Sequence, residues 1–375
     1  MRRQVHPWAW WGWALMLAGV AGFTTNPVVL VVIVAVLWFV VSSRRLDTIW
    51  ARAFPLYLVV GAIIVVYRVV MHVLVGLKTG ETVLMQLPEL SLPAWAAGIT
   101  VLGDLRLEGL LMAAFAGLRL AVILIAVGAA NSLANPKRLV RALPSALGEV
   151  GTALVIAVSV APQLVESVFR VRRARALRGE STRGVRAIGR TALPVLQDTL
   201  DRSLRLASSM DARGYGRRAV TPPAERRLTG ALTLGGLCGI CVGVYVILDG
   251  TVPAVIGVPL LIGGLVVAAS GLAVAGRRRT VTTYRPDPWA GPEWLTAGCG
   301  ALALAAAWLT SRLDPLALTM PLSPLAAPAV PMLALAGLVV AALPGILTPP
   351  PPPPAARRPT RGAPRPQETR RARSR

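Results

Sequence analysis

Residues 53–76 read AFPLYLVVGAIIVVYRVVMHVLVG, and this stretch decides the fold class. About 20 consecutive, mostly apolar residues suffice to cross the hydrocarbon core of a bilayer as a helix. Only Arg68 and His72 interrupt the run with groups that can carry charge. A helix apolar on every side is a buried or membrane helix, because a surface helix keeps a polar face. Working outward, similar runs lie at 8–23, 28–41, 107–130, 228–248, 253–275, 293–310 and 327–347. Charge is collected into blocks between them. With 54% of its 375 residues hydrophobic, the chain reads as an all-α, polytopic membrane helical bundle of about eight transmembrane spans. A further apolar stretch, 148–168, carries Pro162, Gln163 and Glu166. It is set apart from the spans, as a segment lying along the membrane or re-entering it.

The N-terminal Met1-Arg2-Arg3 and the Trp-rich run behind it are similar to a signal peptide, but the small-residue cleavage pattern is poor. An uncleaved first span is expected, with Trp8, Trp10, Trp11 and Trp13 in an interfacial aromatic belt. Thr24-Thr25-Asn26-Pro27 reads as the turn of a tight hairpin between the first two spans.

Charge sets the orientation. The chain carries 40 Lys plus Arg against 17 Asp plus Glu, a formal charge of +23. With both termini inside, Arg2, Arg3, Arg44, Arg45, Arg52, Lys137, Arg138, Arg141 and the Arg-rich segments 170–227, 277–285 and 357–375 all fall on one side. Only Lys78 and Arg312 fall on the other, with Arg106 at a boundary. The positive-inside rule therefore predicts a multi-pass plasma-membrane protein with cytoplasmic N- and C-termini. Cys238 and Cys241 form a CxxC inside an apolar run, and the only histidines are His6 and His72. A metal or redox centre needs more ligands than these, so no metal site and no cofactor are expected.

The chain divides into N-terminal transmembrane helices (1–130), a long inside segment (131–227), further transmembrane helices (228–276), a membrane extension (277–347) and a tail (348–375). The tail opens on an unbroken proline run, 349–354, and continues Pro- and Arg-rich, which predicts an extended, disordered segment. The inside segment holds apolar stripes at helical spacing: Leu164, Val168 and Val171, then Leu193, Leu196, Leu200, Leu204, Ala207 and Met210. These are amphipathic helices with arginines on their polar faces, suited to packing against neighbouring helices or lipid headgroups.

Both amphipathic helices end alike. The first closes on Leu177-Arg178-Gly179 and the second on Ala212-Arg213-Gly214. The plain reading of each is a helix cap, in which glycine takes the left-handed conformation and arginine suits the negative end of the dipole. Two such endings on one segment suggest more. Arg presents a planar fork of donors for carboxylates, so two Arg-tipped ends could seat in two pockets of a dimeric partner.

At this point the sequence resembles a known family, the transmembrane T component of energy-coupling factor transporters (EcfT/CbiQ). The stretches that carry the resemblance come in the family's order. They are Asn26-Pro27 between two apolar runs, Asn135-Pro136-Lys137-Arg138-Leu139-Val140-Arg141-Ala142-Leu143, Ala161-Pro162-Gln163-Leu164, Leu193-Pro194 and Met210-Asp211-Ala212-Arg213-Gly214-Tyr215. They cover roughly residues 20 to 275. The resemblance implies that 131–227 is a cytosolic coupling domain. Ala212, Arg213 and Gly214 would form one ATPase-docking motif, matched in full. Leu177, Arg178 and Gly179 would form the other, with Leu in place of Ala. The implied partners are two cytosolic ABC ATPase subunits or domains and a membrane S component that binds a vitamin or transition metal ion. The extension beyond 277 departs from the family pattern.

No Walker A motif is present: Lys78-Thr79 follows Leu77 and lacks the upstream glycine. The chain is thus not expected to be an enzyme, and ATP hydrolysis would come from partners. Arg68 and His72, four apart on one helix face, and Arg119 in the fourth run stand inside spans, where charge is costly. They are candidates for intramembrane contact with a partner, or for hydrogen bonding within the bundle. An alternative function is a membrane-anchored binder of anionic lipid or nucleic acid. Phe169 and Tyr215 are the only aromatics in 131–227, which speaks against base stacking and so against nucleic acid.

Overall fold

The computed structural model describes residues 4–45, 53–75, 80–86, 88, 90–91, 100–142, 148–179, 185–215, 223–249, 254–277, 288–322 and 325–350. Among these residues the helices are α1 (Pro7–Phe23), α2 (Pro27–Arg44), α3 (Phe54–Val75), α4 (Leu107–Leu133), α5 (Pro136–Arg141), α6 (Gly148–Leu177), α7 (Val185–Asp211), α8 (Pro223–Asp249), α9 (Ala254–Arg277), α10 (Gly291–Leu313), α11 (Met332–Ala342) and α12 (Pro344–Leu347). Among the described residues, sheet is confined to two short antiparallel pairs between α3 and α4. The chain is an all-α polytopic membrane protein.

Local chemistry fixes the helix starts. Asn26 and Asn135 each accept a backbone N–H two residues on, from Val28 and Lys137, and each is followed by proline at the first helical position. Asparagine satisfies one of the orphan donors of a helix N-terminus, and proline has no N–H to orphan there. The two Asn-Pro pairs are therefore helix caps.

Among the described residues, seven helices are long and apolar enough to cross a membrane: α2, α3, α4, α6, α8, α9 and α10. All but α6 coincide with runs marked as spans in the sequence. Two expected spans are shorter. The helix in run 8–23 has 17 residues, and run 327–347 is helical only from Met332, because Pro328 and Pro331 bar an earlier start. α6 is one helix of 30 residues, joining the apolar stretch at 148–168 to the basic one behind it.

The described residues form two compact units, Met1–Ala134 with Trp289–Arg375, and Asn135–Pro288. In the first unit α3 and α4 run antiparallel, with Gly61 against Ile125 and Gly128 against Tyr57. The core, with Trp13, Leu17, Leu30, Ile33 and Leu37 fully buried, lies among α1, α2, α4, α10 and α11. α10 lies beside α1 in the same direction: His6 meets Glu293, Trp13 meets Gly300 and Gly19 meets Leu304. In the second unit α8 and α9 run antiparallel at close range. A Cβ at Gly239 would lie 3.0 Å from the Gly264 Cα, an approach only small residues allow. The basic run at 278–287 and the proline- and arginine-rich tail from 351 lie outside the described residues.

Candidate functional site

The two Arg-tipped endings lie at opposite ends of one antiparallel helix pair. Gln163 of α6 accepts from Arg202 of α7 at 2.8 Å, Ser167 donates to Asp198 at 2.7 Å, and Arg175 donates to Thr191 at 3.2 Å. As the α6 numbers rise the α7 numbers fall, so the helices are antiparallel. The tip of α6 lies near Thr191, and Asp211 stands 20 residues further along α7. At 1.5 Å per residue the two tips are about 30 Å apart.

Each tip is built as a glycine cap. Gly179 and Gly214 share a φ of +76°. At the α7 end the Gly214 N–H donates to the Asp211 carbonyl at 2.8 Å, and the Tyr215 N–H donates to the Met210 carbonyl at 3.0 Å. This pair of bonds is a complete Schellman motif, which satisfies carbonyls the helix end would leave open. At the α6 end the Gly179 N–H donates to the Ala176 carbonyl at 3.1 Å. Arg178 and Arg213 each occupy the residue before the left-handed glycine, and both are exposed. Neither guanidinium has a hydrogen-bond or ion-pair partner among the described residues. Leu177, at the position that Ala212 holds in the second ending, is 85% exposed.

Asp198 ties the pair together. Its carboxylate accepts from Ser167 and Arg202 and lies 3.7 Å from Arg170. The Ser167 hydroxyl first, and then the charges of Arg202 and Arg170, hold its pKa below the ordinary value against the opposing effect of burial. This polar ladder is absent from the apolar-stripe reading; the Asp198–Arg202 spacing of four was its one visible sign. The stripes themselves fare differently. Leu164, Val168 and Val171 are half-buried, whereas Leu193, Leu196, Leu200 and Leu204 are exposed along α7.

The three intramembrane residues separate. Arg119 donates to the Gly22 carbonyl in the last turn of α1, tying α4 to α1. Arg68 and His72 lie on the side of α3 that faces α4. A Cβ at Gly117 of α4 would sit 3.1 Å from the Arg68 Cβ. Arg68 is exposed and His72 half-buried. Cys238 and Cys241 are free and exposed.

A comparison with the curated proteins finds no match. The family model described as CbiQ, cobalt transport protein, matches residues 2–223, from the α1–α2 hairpin through both Arg-tipped helices. The match takes in more than half of the chain, and this multi-pass membrane protein belongs to the CbiQ cobalt transport protein family.

Proposed function

We propose that the chain is the transmembrane coupling subunit of an energy-coupling-factor-type ABC importer. In this reading Arg178 and Arg213, with Leu177, Gly179, Ala212 and Gly214, dock into two cytosolic ATPase subunits. ATP binding closes the ATPase pair and moves the docked tips. The α6–α7 pair carries that motion to a membrane S component, which releases a vitamin or transition metal ion inward. ATP is hydrolysed by the partners. The observation that carries the reading is the pair of matched, exposed, glycine-capped Arg tips at opposite ends of an antiparallel helix pair. Two separate pockets of a dimeric partner need two anchors held apart, and about 30 Å of helix supplies that separation.

Positive-inside charge supports a cytoplasmic place for the Arg-rich segment that holds this pair, which is where ATPases reside.

The test is a pull-down of the detergent-solubilised chain with the ATPases encoded beside it, in wild type and in Arg178→Glu plus Arg213→Glu. Wild type should retain the ATPases and the double variant should release them. If neither form binds an ATPase the coupling role fails, and binding of anionic lipid through the Arg-rich segment becomes the better account. Equal binding by both forms would move the docking residues elsewhere.

A further inference from the structure

The extension beyond 288 is a second helical hairpin laid on the first. α10 follows α1 in direction, and α11 with α12 follows α2: Asn26 meets Ala329 at one end, and Arg44 meets Gly345 at the other. The two hairpins therefore stack turn against turn. At the turns, the Leu318 carbonyl accepts from the Thr24 hydroxyl at 2.7 Å, the Thr25 N–H at 3.0 Å and the Asn26 N–H at 3.2 Å. Asn26 is fully buried; its amide donates to the carbonyls of Ala317 at 2.9 Å and Ala329 at 2.7 Å, while its Oδ1 caps α2. Midway, the Trp13 indole donates to the Ala341 carbonyl at 3.0 Å. At the open end Glu293, 1% exposed, accepts from the His6 N–H at 3.2 Å, and Arg44 donates to the carbonyls of Gly345 and Ile346.

We propose that residues 289–348 are a membrane subunit carried in cis: a hairpin that recognises the α1–α2 hairpin by its own contacts and stays bound without the covalent link. Three features of the interface fit recognition by a partner. The Asn26 amide, the Thr24 hydroxyl and the Trp13 indole all donate across the seam, so the first hairpin alone would leave these donors unpaired in an apolar setting. Glycines of the interface let the helices approach, Gly300 against Trp13 and Gly345 against Phe39. Its contacts run the whole length of the hairpin, from His6 to Asn26 and back to Arg44. The occupant fixes a further consequence: this face of α1 and α2 is closed to any separate membrane partner.

The test inserts a protease site at 280–287 in the full chain, cleaves it in mild detergent, and follows the fragments by size exclusion. The wild-type fragments should co-elute. Asn26→Asp keeps the α2 cap acceptor and removes both donors. Its fragments should separate about ten-fold faster, while the uncleaved variant elutes as wild type. Glu293→Gln at the opposite end should act in the same direction. Wild-type fragments that separate on cleavage overturn the proposal. Variant fragments that hold as firmly as wild type overturn the assignment of recognition to these polar contacts.

Discussion

The Ser167 hydroxyl of α6 donates to the Asp198 carboxylate of α7 at 2.7 Å, and this bond joins the two helices whose tips carry Arg178 and Arg213. Because Ser167, Arg202 and Arg170 all favour the ionised carboxylate, the folded pKa of Asp198 lies below its unfolded value. A depressed carboxylate pKa stabilises the fold above the unfolded value, about 3.9, and the gain is lost as pH falls through the folded value. Protease resistance of the α6–α7 pair should therefore be level from neutral pH to about pH 5 and fall in more acid solution. Asp198→Asn should lower resistance at neutral pH and flatten the acid limb. An unchanged acid limb in this variant would place the titrating group elsewhere.

Gly179 and Gly214 test whether the two tips work by shape. At a φ of +76° a β-branched residue is strained by roughly 1–2 kcal/mol, whereas asparagine visits this region readily. Gly214→Val should unwind the last turn of α7 and abolish ATPase retention. Gly214→Asn should keep most of it, and the same order should hold at Gly179. Retention by the valine variants equal to wild type would show that the arginines dock without a fixed helix end.

What the sequence made legible follows from how local each signal is. The apolar runs, the turn at Thr24–Pro27 and the two Arg-Gly endings depend on neighbours within a few residues; the runs carry helices, the turn joins α1 to α2 and the endings are glycine caps. The Asp198 ladder was hidden, because its partners are on another helix and only the Asp198–Arg202 spacing is local. The seat of the extension was hidden more deeply. Asn26 and Leu318 are 292 positions apart, and no periodicity links a hairpin turn to a carbonyl so remote. The ends of α11 were blurred for a simpler reason: an apolar count ignores Pro328, Pro331 and Pro344, which limit where a helix can run.

The α8–α9 pair offers a comparison between neighbouring glycines. A Cβ at Gly264 would lie 2.5 Å from the Ile240 nitrogen, whereas one at Gly263 meets nothing within 4 Å. Gly264→Val should force the helices apart at a cost of about 1–3 kcal/mol, seen as a lower midpoint in thermal unfolding of the solubilised chain. Gly263→Val should leave the midpoint near that of wild type. Equal effects would mean that helix propensity, and not the close approach, governs both positions.

Arg119 and Arg68 are the last pair to separate by experiment, because the fold uses them differently. Arg119 satisfies the Gly22 carbonyl at the end of α1, so Arg119→Leu leaves that carbonyl without its donor in an apolar setting. The loss should lower the thermal midpoint by an amount equivalent to about 1–2 kcal/mol, and Arg119→Gln, which keeps an N–H, should recover part of it. Arg68 is exposed and has no hydrogen-bond or ion-pair partner among the described residues. Arg68→Leu should leave the midpoint of the isolated chain unchanged or raise it, since an unpaired charge is removed from an apolar helix. If Arg68 contacts a membrane partner, the same variant should weaken retention of that partner while ATPase retention stays intact. A fall in midpoint as large as that of Arg119→Leu would instead assign Arg68 to the packing of α3 on α4.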